Sequence, residues 1–264
     1  MTEFWRSPDI PQLESRRSCQ AVSCYRPHTH DRFSIGLIDA GRAVFAGAGD
    51  TRYELEPGDV LLIPAHSVHS CNPEAGRWTY QMIHADQDWI ADLLPDDQDD
   101  AGELLRGVAV FREPGLHGEF SRLNDGLFGG AEPAWVRARM SETLAACAGL
   151  TPGYRGARSP GPGPEGPLAP VLDRLRSDGP APSLEELAGL LGMDKYRLIR
   201  AVKEATGLPP VAWRQNDRVI EARKLLRAGN SPAETAYALG FADQSHFHRV
   251  FRAHVAATPG AYQA

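Results

Sequence analysis

The sequence predicts an α+β protein of two dissimilar domains, a small β-barrel or sandwich followed by an all-helical domain. Three observations carry this. Over residues 19–90, short apolar runs alternate with Gly/Pro turns roughly every ten residues. From Leu168 almost to the end, the apolar spacing is helical. Between these regions lies Thr151–Pro167, dominated by Pro and Gly, where neither helix nor strand is expected to survive. The expected division is therefore a domain over 1–150, a linker over 151–167 and a second domain over 168–264. A chain of 264 residues with 42% hydrophobic residues can supply a core to each.

The first domain's elements are read from alternation and punctuation. Arg32 to Ile38 alternates as a half-buried strand does, and Gly41, Gly47 and Gly49 punctuate the next stretch. Glu56-Pro57-Gly58-Asp59 is a turn leading into the apolar run Val60 to Pro64. Residues 98–150 change character. Gly118–Phe128 and Glu132–Ala148 have helical spacing, and Trp135, Met140, Leu144 and Cys147 form a stripe on the second. A barrel alone leaves that stripe uncovered, so a two-fold contact between copies is expected to cover it, giving a homodimer. Packing against the barrel is the alternative.

The second domain contains an internal repeat. Ser183 to Arg200 and Ser231 to Arg249 each open on Ser-x-x-Glu, a capping box, with Pro232 at the first helical position of the second unit. Each has Ala two residues after the Glu (Ala188, Ala236) and then Gly (Gly192, Gly240), suited to a helix end in left-handed conformation. Each restarts at an Asp (Asp194, Asp243) that can cap the next helix, with a core residue four later (Leu198, Phe247). This is helix-turn-helix geometry, in which the second helix presents its first turns to the DNA major groove. Val211–Ala228 reads as a connecting helix, with Arg214, Arg218, Arg223, Lys224 and Arg227 supplying positive charge along it.

Charge agrees with this division. The net charge of −6 argues against nucleic acid if taken globally, but 168–264 carries 13 Lys+Arg against 10 Asp+Glu, while 1–167 carries 15 against 24. No apolar run is long enough to span a membrane or act as a signal peptide, and the four cysteines (Cys19, Cys24, Cys71, Cys147) form no CxxC pair. A cytoplasmic protein with no membrane partner is expected.

Residues 183–263 resemble the AraC/XylS family of regulators. The matching pieces are Leu187-Ala188, Leu198-x-Arg200, Glu204-x-x-Gly207, Arg218-x-x-x-Ala222-x-x-Leu225-Leu226, the run from Ala238 through Phe251, and Thr258-Pro259-x-x-Tyr262. Val202 stands where the family usually has Phe, and Ala256 where it usually has Gly. The resemblance implies double-stranded DNA as partner, with RNA polymerase a further candidate. It implies base-reading residues at Tyr196, Ile199 and Arg200 in the first recognition helix, and at Gln244, Ser245, His246, His248 and Arg249 in the second. Arginine can take guanine O6/N7 and glutamine adenine N6/N7 bidentately.

In the first domain, His28-Thr29-His30 and Gly58 to His69 look like the two halves of a cupin barrel, the sensor of many such regulators. Two departures stand out. The Glu usual after the HxH is absent, and His66 stands where the pattern prefers Gly. As strand residues, His28 and His30 would point the same way, with His69 able to join them. These three and Arg26 are the expected contacts of a small-molecule effector, which the resemblance suggests is an amino acid or related amine. Arg26 and Arg32 could each pair with a ligand carboxylate. No cofactor is expected; the alternative is zinc or iron on His28, His30, His69 and Cys71. The competing class is a metal-dependent cupin enzyme or metal sensor fused to a DNA-binding module. The missing Glu weighs against it, so no catalytic residue is assigned. A barrel that serves only to dimerise is a third reading.

Overall fold

The computed structural model describes residues 2–20, 25–48, 51–94, 102–158, 166–177 and 179–263. Cys24, Gly49 and residues 159–165 of the expected linker lie outside them. The chain divides into two compact units, one of 1–23 with 30–159 and the other of 24–29 with 160–264.

The first unit contains strands β1 (Thr2–Trp5), β2 (Leu13–Gln20), β3 (Phe33–Ala40), β4 (Ala43–Ala46), β5 (Arg52–Leu55), β6 (Val60–Ile63), β7 (Ser70–Pro73), β8 (Trp78–Ala85), β9 (Gly107–Phe111) and β10 (Tyr154–Arg158). The larger sheet has the order β1-β2-β8-β3-β6-β9-β10; the smaller has β5-β4-β7. Helices α1 (Gln87–Ala91), α2 (Pro114–Phe128) and α3 (Pro133–Ala148) complete the unit.

Strand β8 organises this unit. It pairs with β2 on one side and β3 on the other, placing Leu13, Ser15 and Arg17 beside Ala85, Ile83 and Gln81, and these beside Phe33, Ile35 and Leu37. That face is mainly apolar and receives α2 and α3. Phe33, Ile35, Leu37, Ile83, Phe120, Leu123, Met140 and Leu144 form one core. The opposite face carries Glu14, Arg16 and Ser18 of β2 with Trp78, Tyr80, Met82 and His84 of β8, and turns inward beneath the smaller sheet.

Two expectations are corrected here. The stripe of α3 is not held for a partner copy, because Met140, Leu144 and Cys147 are buried in this chain's own core. The helix is amphipathic as its spacing predicts, and the sheet covers its apolar side. Trp135 of the stripe stays exposed, lying against Gly126 of α2, where an added Cβ would overlap its ring. The second correction concerns 151–167. Tyr154–Arg158 is a strand, paired antiparallel with β9, so the first unit extends beyond residue 150. Tyr154 supports it by ring contact with Phe45 and Tyr53 and a 3.0 Å bond from its hydroxyl to Thr51.

The second unit contains α4 (Ala169–Arg176), α5 (Leu184–Gly189), α6 (Lys195–Thr206), α7 (Pro210–Arg227), α8 (Pro232–Ala238), α9 (Gln244–Val255) and α10 (Pro259–Gln263). Its local chemistry matches the repeat closely. Asp194 accepts from the amides of Tyr196 and Arg197, and Asp243 from that of His246. Gly192 and Gly240 both have positive φ. The box at Ser231 is complete, with Glu234 returning to the Ser231 amide. The box at Ser183 is half made, since Glu186 pairs with Arg174 at 2.6 Å instead.

Among the described residues, His66 (φ 63) and Ala256 (φ 54) are the non-glycines with positive φ. Both stand where the sequence departs from a glycine in the family pattern. The left-handed region costs a residue with Cβ roughly 1–2 kcal/mol. Ala256→Gly should therefore raise the denaturation midpoint of the second unit by the equivalent of about 1 kcal/mol. Leu144→Ala should lower the stability of the first unit by about 2–5 kcal/mol with no change in oligomeric state. Denaturant titration paired with light scattering checks both.

Candidate functional site

Each recognition helix is built from its cap outward. In α6, Leu198 and Val202 are fully buried in a core with Leu187, Ala188 and Leu172. That packing fixes the opposite arc, where Tyr196 and Arg200 are exposed and Ile199 is half-buried. Tyr196 is 67% exposed, too much for an aromatic packed in a core. The Lys195 ammonium lies over its ring while bonding Glu185 at 2.9 Å. Arg197 is exposed in the same first turn; it is a residue the sequence reading passed over, although its place just inside the Asp194 cap could have marked it.

In α9, Phe247 and Phe251 anchor the helix within an aromatic chain running from Phe241 to Tyr262. Gln244, Ser245 and Arg249 are presented on its other side with His246 and His248, of which His246 and His248 are partly committed within the chain. His246 meets Phe241 edge-on at 5.5 Å, so part of its ring is committed to packing. His248 faces Gln244, one turn away, at 3.5 Å.

The connecting helix α7 differs from expectation. Its cations do not form a charged stripe for DNA. Arg214 is buried and donates to the carbonyls of Leu175, Ser177 and Gly179, which end α4 and come just after it. Arg218 reaches the carbonyls of Gly179 and Gly240 and lies over Phe241. Arg223 and Arg227 converge on the Tyr262 hydroxyl. Arg214 and Arg218 thus satisfy backbone carbonyls beyond helix ends, which a guanidinium with five donors does well. Lys224 pairs with Glu221.

The expected effector residues fall in different units. His28 and Arg26 lie in Tyr25–Thr29, which is irregular rather than extended and belongs to the second unit. The Arg26 amide donates to Ala253 O, while Asn216 takes the Thr29 amide and donates to its hydroxyl. Those bonds take backbone amides that a strand would give to a neighbouring strand. The His28 ring stacks on Tyr25 and meets His254 edge-on at 6.2 Å. Arg26 is exposed, and Arg32 is spent on the carbonyls of Pro11 and Gln12.

Within the first unit, His30 and His69 come together, with ring centroids 5.0 Å apart. They are joined by His84, 4.7 Å from His30, a residue that the sequence reading missed. His84 is held by Ser34 at 2.8 Å. All three histidines are buried, and burial pushes the His69 imidazole down to about 4, so it is neutral near pH 7. Burial also pushes the Cys71 thiol up to about 12, against the pull of nearby Arg16. Further along this face lie Arg16, over the Tyr80 ring at 5.2 Å, and Trp78, stacked on Tyr80 at 4.3 Å. For Arg16 the signal was the run of charged and polar residues in Leu13–Gln20, which is mostly buried as a strand.

In the second unit, burial and the nearby Arg26 lower the pKa of His254, whose Nδ1 lies 2.8 Å from Val250 O. The unfolded chain therefore takes up this proton first on acidification. The stability contributed by neutral His254 is complete above about pH 6.5 and falls below it. Denaturation at pH 7.5 and 5.5 should show a loss in the wild-type second unit that is smaller in His254→Gln.

Comparison with known proteins agrees with both units. Residues 11–146 match the AraC-like ligand binding domain, and 187–264 match a helix-turn-helix domain. YbfI, an uncharacterized HTH-type transcriptional regulator of Bacillus subtilis (strain 168), is 28% identical over 89% of this chain and 85% of its own. The HTH-type transcriptional activator RhaS of Yersinia pestis (strain Pestoides F) is 24% identical over 97% of this chain and 95% of its own. Among solved structures, unsaturated fatty acid-bound wild-type ToxT from Vibrio cholerae strain SCE256 superposes with a TM-score of 0.52 at 14% identity, covering 100% of this chain and 94% of that one. Among the described residues, no helix is long and apolar enough to cross a membrane. The chain belongs to the AraC family of transcription regulators, with an AraC-like ligand-binding domain ahead of a paired helix-turn-helix domain.

Proposed function

We propose that this regulator reads an asymmetric DNA site with α6 and α9 and adjusts that binding to a small effector held in the barrel. The observation that carries the DNA reading is the pairing of two Asp-capped helices, each anchored by a core residue four positions after the cap and each carrying an arginine two residues further on. Arg200 and Arg249 occupy equivalent places. The remaining residues differ, Tyr196 and Ile199 against Gln244, Ser245, His246 and His248, so the two half-sites should differ. Two such helices are expected to enter successive major grooves about 34 Å apart.

The ToxT structure holds a fatty acid, which supports reading the AraC-like domain here as a receptor for an organic molecule. Its contacts in this chain would lie on the inward face that carries His30 and His69. Amino acids and related amines are the first compounds to screen. The protein would act in the cytoplasm as a homodimer, with RNA polymerase a further partner. Any dimer contact through α3 would use its outer face, with Trp135 and Arg137, rather than the buried stripe. A metal-dependent barrel gives the opposite expectation. Purified protein would then carry one equivalent of zinc or iron, lost on His69→Ala.

Arg200→Ala and Arg249→Ala should each weaken operator binding by about 1–3 kcal/mol and relax preference at one base pair. If either holds only phosphate, binding should fall evenly across sequences and the salt slope should drop by about one. Titrations on single-base operator variants at two salt concentrations separate these. Unchanged affinity in both variants would refute the assignment. Arg214→Ala, by contrast, should lower the folding stability of the second unit, because its partners are buried carbonyls.

A further inference from the structure

We propose that the barrel's effector is an organic anion, its carboxylate taken by the Arg16 guanidinium, the Ser18 hydroxyl and the Trp78 indole N–H. This rests on reading the barrel as an effector site and narrows that reading to a charge class.

The register of the larger sheet sets the inward face out in rows. Glu14, His84 and Ser34 form one row; Arg16, Met82 and Gly36 the next; Ser18, Tyr80 and Ile38 the third; Gln20 and Trp78 the fourth. Glu14 is buried, and its carboxylate accepts from Arg6 Nε at 2.9 Å. Arg16 is 6% exposed, its guanidinium over the Tyr80 ring.

Beside it, on the same face, Ser18 and Trp78 are each 2% exposed. Among the described residues, the Ser18 Oγ and the Trp78 Nε1 have no hydrogen-bond partner. A buried polar group left unsatisfied is costly, and native proteins hold few of them. Here two lie on the same face, within two rows of a buried cation.

The chemistry of these groups selects the ligand. An indole N–H and a guanidinium only donate, so the group that answers both must accept. A buried guanidinium favours an acceptor with negative charge, and its planar fork suits a carboxylate. An amine would bring donors to donors and positive charge to Arg16. The Trp78–Tyr80 stack and the inward Met82 and Ile38 form a flat, mostly apolar wall for the rest of the molecule. An α-amino acid remains eligible through its carboxylate; a simple amine does not.

The test uses the full chain and matched probes: benzoate, phenylacetate and octanoate, each against its primary amide and the corresponding amine. Thermal unfolding is monitored to tens of millimolar, where binding to the folded state alone raises the midpoint. The acids should stabilise saturably and the amides and amines should not. Arg16→Gln should weaken the acids about tenfold or more, and Ser18→Ala and Trp78→Phe a few-fold. Circular dichroism and a cooperative thermal transition without probe establish that each variant is folded. Should Arg16→Gln fail to fold, Trp78→Phe, which retains a ring for the stack, carries the comparison. Equal stabilisation by amides or amines overturns the anion and leaves the effector reading standing. An acid response unchanged in the folded variants places binding elsewhere and also overturns the proposal. No response to any probe overturns the anion proposal and leaves the receptor reading to the wider screen.

Discussion

The register of β8 between β2 and β3 is the constraint on which the first unit depends. Because side chains alternate along a strand, one register assigns every residue of three strands to a face at once. Odd positions of β2 and β8 go to the helices and even positions to the interior. Shifting β8 by one residue would drive Ile83 and Ala85 inward and aim Tyr80 and His84 at α2. The helix side also carries a polar lock. Ser15 Oγ lies 2.5 Å from Asn124 Oδ1, the Asn124 amide donates to Gln81, and Gln81 Nε2 donates to Asp39 and Ser121. His117 of α2 closes the chain on Asp39 at 3.2 Å. A connected network of this kind, buried at Ser15, Gln81 and Asn124, favours one docking of α2 and penalises a slip. The same register fixes which groups face a ligand, so sensing chemistry and core packing cannot be changed independently on these strands.

In the second unit the corresponding constraint is the supply of partners for helix ends. Short helices leave a large share of their amides and carbonyls outside the helical ladder. The amides are met by Ser183, Asp194, Ser231 and Asp243. Carbonyls just past the helix ends are met by Arg214 and Arg218, reaching from α7. One connecting helix thus holds α4 and both helix-turn-helix units, which explains why Arg214 and Arg223 are buried despite their charge. The unit's net positive charge therefore overstates what is available to DNA. On α6 and α9, Arg197, Arg200, Arg249 and Arg252 are exposed.

How much was legible in the sequence depends on range. Caps, positive-φ glycines and recognition helices depend on residues within four or five positions of each other, and these were readable. The stripe of α3 was readable as a stripe, but its partner was not, because the covering sheet is assembled from strands spread between residues 13 and 111. The strand at Tyr154–Arg158 was hidden by its Pro/Gly surroundings; it exists because β9 offers an edge and Tyr154 finds two aromatic rings. Arg16 and His84 were passed over for a related reason. Their significance lies in β2–β8 pairing across more than sixty residues, whereas the HxH signature concentrated attention on 28–30. That signature is divided between the units, His30 going with the barrel and His28 with the helical domain.

The two departures from a glycine pattern point to a last distinction. His66 and Ala256 both accept the left-handed conformation that glycine adopts without strain. At Ala256 the side chain brings only a methyl group, and the residue closes α9 by donating its amide to Arg252 O. At His66 the amide donates to His30 O at 2.8 Å, within the turn that presents His69 to the histidine cluster. Strain held at a position that aims functional groups is found where the surrounding bonds over-determine the backbone. Here those bonds are the His66 amide to His30 and the Ser67 amide to Pro64 O, with Ser67 O lying 2.9 Å from His69 Nδ1. Three bonds therefore hold the turn that joins His30 to His69. A ligand at that end of the barrel meets histidines already positioned, while at the other end Ser18 and Trp78 still await an acceptor.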